Sequence, residues 1–108
     1  MTDQELLDLS AKAAGYKYAK NGGYIVVDGI PGNWNPLADD GDALRLAVSL
    51  NLSVKHGVDI WDDNQKMSAY AYLGDFGECF FEEHGSDPYA ATRRAIVRAA
   101  AEIGRNMK

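Results

Sequence analysis

A chain of 108 residues, 46% of them hydrophobic and 25% charged, is long enough for one domain that buries a core without disulfide or metal staples. Its net charge of −5 argues against a nucleic-acid partner, because phosphate contacts supply most of that affinity, and its longest apolar run falls far short of a membrane span. With one cysteine, Cys79, the chain can form neither an internal disulfide nor a thiolate zinc site.

The N-terminal stretch MTDQELLDLSAKAAG begins with acidic residues and lacks the basic start and apolar centre of a secretory signal, so residence in the cytoplasm is expected. Thr2 and Glu5 have the T-x-x-E spacing of a capping box. Leu6, Leu9 and Ala13 follow on one helical face, and Gly15 is placed to close it. This spacing predicts a helix over 3–14. Residues 15–38 carry turn signals at Asn21-Gly22-Gly23 and Asp28-Gly29, so an irregular segment is expected, with one short strand at about 24–27.

The stretch WNPLADDGD, residues 34–42, poses the first chemical question. Asp39, Asp40 and Asp42 beside a glycine suggest a calcium loop, but an EF-type loop needs alternating ligands and a glutamate six residues after its glycine. Ala47 stands there instead. The aspartates are read as capping and charging the start of a second helix, at about 40–51, whose Leu44, Ala47 and Val48 share one face. The metal reading stays open through Asp62 and Asp63: were they to fold against the first group, five carboxylates could hold Mg²⁺.

LSVKHGVDIW alternates, giving a strand at 52–61 with His56 on its apolar side, where a core histidine bonded to backbone is expected. A second strand at 66–73 has Tyr70 and Tyr72 on one face and Met67, Ala69, Ala71 and Leu73 on the other, as suits a central position. A third at 77–83 contains Cys79, read as buried. His84, in a glycine turn, is expected to be exposed. The links at 62–64 and 74–75 are too short for helical crossovers, so the three strands form an antiparallel meander.

Asp87-Pro88 pairs a capping acid with proline at the first helical position, starting a helix over 88–105. Arg98 and Glu102 have i,i+4 spacing on a solvated face. Arg93, Arg94 and Arg98 are candidates to clamp a phosphate or an acidic partner surface, set against that ordinary solvated face. The whole is expected to be a single α+β domain: a three-layer α-β-α sandwich with a small, mainly antiparallel sheet and helices on both faces.

With the segments in place, WNPLADDGDALRLAVSLNLSV (34–54) and DPYAATRRAIVRAAAEIG (87–104) resemble the phage ABA sandwich domain proteins, a family of small tailed-phage and prophage proteins. The resemblance covers the chain from Trp34 onward. It implies an α-β-α sandwich and a phage or prophage origin, and it implies no reaction, cofactor or catalytic residue.

The functional expectation is a non-enzymatic accessory protein in the bacterial host cytoplasm, monomeric or weakly dimeric, needing no cofactor and binding a host or phage protein. Trp34, Trp61, Tyr70 and Tyr72 are the candidate binding residues, since such aromatics are enriched in recognition surfaces, with Arg93 and Arg94 beside them. Two alternatives stand: a metal-dependent enzyme or small-ligand protein using Asp39, Asp40, Asp42, Asp62 and Asp63, and a minor structural or assembly component.

Overall fold

A computed structural model of the protein describes residues 1–18, 24–26, 30–32, 34–58, 66–74 and 77–107, with backbone alone at 18, 24–26 and 30–32. In chain order the elements are α1 (Asp3–Ala14), β1 (Lys17–Tyr18), β2 (Tyr24–Val26), β3 (Ile30–Gly32), α2 (Asp40–Ser49), β4 (Leu52–Val58), β5 (Met67–Leu73), β6 (Cys79–Glu83) and α3 (Pro88–Arg105). Three helices and an antiparallel β4-β5-β6 meander make this an α+β fold.

Each helix starts and stops for a chemical reason. The Thr2 hydroxyl accepts the Glu5 N–H at 3.1 Å, and Gly15 closes α1 at φ 79°, left-handed backbone that favours glycine. The Asp39 carboxylate accepts the Asp42 N–H at 2.8 Å, so the helix-start reading of this aspartate holds. The Asp87 carboxylate accepts the N–H groups of Tyr89 and Ala90, each at 3.1 Å, with Pro88 behind it. α2 ends at Ser49, two residues before the expected boundary, and Asn51 turns the chain into β4 at φ 58°.

Between α1 and α2 the sequence pattern predicts one short strand, and the structure has three. β1, β2 and β3 form an antiparallel sheet in which Lys17 faces Ile25 and Val26 faces Ile30. Strands of two or three residues are too short to print an alternation, which is why this sheet escapes a periodicity argument.

The position of α3 organises the core. Its Ala95 and Ala99 lie on Ala69 and Ala71 of β5, with Leu52, Leu73 and Phe80 around them. Its Ile96, Val97, Ala100 and Ala101 pack with Leu6 and Ala11 of α1, with Ala43, Leu46 and Ala47 of α2, and with Trp34. Alanine on both sides lets the helix be buried twice. The helices therefore gather on one face of the meander, α3 on the sheet and α1 and α2 on α3, where helices on both faces were expected. Register places Val54 and His56 on that same face as Ala71 and Ala69, and Lys55, Tyr70 and Phe81 together on the other.

Three expected environments change. Cys79 is exposed, because it is in register with Tyr72, on the face turned from α3. Arg98 does not pair with Glu102: it reaches Glu82 at 3.1 Å and the Phe81 carbonyl at 3.0 Å, while Glu102 accepts from Arg105 at 2.6 Å. On α2, Leu44 and Val48 point outward and Ala43, Leu46 and Ala47 point in. Among the described residues no helix is long and apolar enough to cross a membrane.

Candidate functional site

The outward turn of Leu44 opens a groove. Residues 40, 43, 44 and 47 line one side of α2, residues 88, 89, 92, 93 and 96 line the first half of α3, and Val54 and His56 come from β4. These spacings are helical and strand periods, so each element presents one continuous face. Small side chains, Ala43 and Ala47, leave the space of about 530 Å³ unfilled. Around it large apolar groups stand open to solvent side by side: Leu44 is 63% exposed, Tyr89 68% and Val54 38%, and it is such grouping that marks interaction surfaces.

Polar groups in the lining are held in place by the fold. Arg93 donates to the Leu37 carbonyl at 2.8 Å and to the Asp40 carboxylate at 2.6 Å, tying α3 to the start of α2. His56 Nδ1 lies 2.9 Å from His84 Nε2, with ring centroids 5.1 Å apart and planes at 62°. One ring must therefore be neutral to accept the other's N–H. His84 is fixed further by its own backbone N–H, which donates to the Met67 carbonyl at 2.9 Å. So His56 is exposed and bonded to a side chain, where a core position with a backbone partner was expected, and His84 is half-buried.

The other candidate residues are distributed around the molecule. Trp34 is only 6% exposed and meets Tyr16 edge-on at 5.3 Å, so its ring belongs to the core. Tyr70 and Tyr72 stack at 6.3 Å on the opposite face of the sheet, with the Lys55 ammonium 5.8 and 5.6 Å from their centroids. Arg94 bridges Asp3 at 3.0 Å and Glu82 at 3.5 Å. Trp61, Asp62 and Asp63 lie outside the described residues.

Asp39, Asp40 and Asp42 are neighbours, and each is engaged within the chain. Asp39 caps α2, Asp40 pairs with Arg93, and Asp42 accepts from the Asn35 N–H at 3.0 Å and from Arg45 at 2.6 Å. Among the described residues no three His, Cys, Asp or Glu side chains are grouped to hold a metal ion.

The sequence pattern missed the groove because Leu44, Ala47 and Val48 make a plausible buried stripe. Ala43, Leu46 and Ala47 make another one, rotated by one residue, and Leu46 is the signal: it alone adds large bulk to the inward face. The chain matches no family model, no curated protein and no solved structure.

Proposed function

We propose that the protein is a non-enzymatic binding module that takes an apolar segment of another protein into the groove between α2, β4 and α3. The observation that carries this reading is the ring of exposed Leu44, Val54 and Tyr89 around an alanine floor. Apolar surface removed from water there contributes about 25 cal/mol per Å². Fixed polar groups beside it, the Arg93–Asp40 pair and the two histidines, supply orientation without needing to be ordered on binding. The internal engagement of Asp39, Asp40 and Asp42 favours binding over carboxylate chemistry.

A role as a phage or prophage accessory protein in the bacterial host cytoplasm belongs to the same proposal. Its support is the resemblance of residues 34–54 and 87–104 to the phage sandwich proteins. The occupant is then a host or phage protein.

A photo-crosslinking amino acid at Leu44 or Tyr89, in cells making the protein, tests the groove directly. One adduct of the same mass is expected from both positions, lost when Val54→Asp is added and absent when the probe sits at exposed Lys17 of β1. Adducts that form equally at Lys17, or none at the two groove positions, overturn the reading.

A further inference from the structure

The chain has two histidines, and the fold brings both together from 28 positions apart. His56 leaves β4 in register with Ala69 of β5, and His84 follows β6 on the far side of that strand. Their side chains therefore meet across β5, on the groove side of the sheet, with both rings in the groove lining.

We infer that His56 Nδ1 and His84 Nε2 form a two-imidazole site for one divalent transition ion of the zinc, nickel or copper type. Such ions prefer neutral imidazole nitrogen, whereas Mg²⁺ and Ca²⁺ prefer oxygen. Nitrogens bound at about 2.0–2.1 Å on a tetrahedral zinc ion lie about 3.3 Å from each other. The observed separation is 2.9 Å, so to accept the ion the nitrogens part by roughly a few tenths of an ångström and each ring turns by about 35° to aim its lone pair off the line between them. Both bonding nitrogens must present lone pairs to the ion: in a pair of neutral rings the proton between them passes to the far nitrogen of its own ring, and in a singly charged pair it leaves to solvent.

The remaining coordination positions fall to water. Glu82 shares this face of the sheet, in register with Ala69, but its carboxylate is held by Arg94 and Arg98. Lys66 is paired with Glu83 at 3.7 Å. An ion with open positions beside an apolar groove can take a ligand atom from whatever enters, yet the site itself needs no docked partner and stands apart from the docking proposal.

Calorimetric titration of the Cys79→Ser protein with Zn²⁺ and, separately, Ni²⁺ tests the site without thiol interference. One ion per chain is expected, with Mg²⁺ and Ca²⁺ giving no heat. Removing either ligand, in His56→Ala or His84→Ala, should weaken binding by at least about tenfold, the lower end of what loss of even an outer-shell partner costs. Ni²⁺ should also broaden the ring-proton NMR signals of both histidines in the unmutated rings. No heat with either transition ion overturns the site, as does binding that persists in the double variant with its circular dichroism unchanged.

Discussion

Gly104 of α3 lies directly against the Leu9 carbonyl of α1, so close that a β-carbon at 104 would overlap that oxygen. The obstruction is backbone, which cannot swing aside like a side chain. Alanine would raise local helix propensity by about 0.8–1.0 kcal/mol over glycine, but forcing α1 from α3 costs typically about 1–3 kcal/mol. Gly104→Ala should therefore lower stability in urea denaturation, against the direction propensity alone dictates. A neutral or stabilised variant would show that the two helices can part freely.

Trp34 fills the space where α1, α2 and α3 converge. Its replacement by alanine removes a large buried side chain and its edge contact with Tyr16, and losses of this kind cost about 3–5 kcal/mol. Trp34→Ala should lower the unfolding free energy obtained from urea denaturation by that measure, whereas Lys55→Ala, on the opposite face of the sheet, should change stability by under about 1 kcal/mol as an exposed cation–π donor. Comparable effects from the two would contradict the placement of Trp34.

Local signals in the chain transmit well where one residue has one job. Thr2, Gly15, Asp39, Asp87 and Pro88 each mark a helix end, and the three helices begin where these residues place them. The meander was legible because short links leave antiparallel pairing as the sole option. The groove was not, because choosing between two stripes on α2 depends on what α3 offers it. The histidine contact was not legible either: nothing local to His56 or His84 announces a partner 28 residues away. The one-sided placement of the helices follows from alanines that serve two contacts at once, and composition alone does not say which.

The aspartates at the start of α2 separate into distinct structural roles. Asp39→Ala removes a helix cap and should cost about 0.5–2 kcal/mol. Asp42 is nearly buried, with 12% of its side chain exposed, and its loss removes the charged acceptor of the Asn35 N–H as well as the bond to Arg45. Asp42→Ala should cost about 1.5–3 kcal/mol, the range for a hydrogen bond to a charged group. Asp40 is 68% exposed in its pair with Arg93, so Asp40→Ala should cost under about 1 kcal/mol. Chemical denaturation of the three variants, with the order of effect Asp42 above Asp39 above Asp40, checks these assignments.

Glu102 near the end of α3 titrates below the ordinary glutamate range, first because the Arg105 guanidinium donates to it at 2.6 Å, with Asn106 adding a second bond at 3.2 Å, against the opposing effect of desolvation. Arg105 is raised in turn by the same contact. A carboxylate held low in the folded state favours folding above its ordinary pKa, and that contribution is lost as pH falls through the lowered value. Arg105→Met should therefore move the Glu102 carboxyl titration upward, toward the range of a free glutamate, as followed by carbon-detected NMR. Any stability difference between the two proteins should be largest at neutral pH and vanish in acid, once Glu102 is protonated in both. A difference that instead grows as pH falls would place the origin of the effect outside this pair.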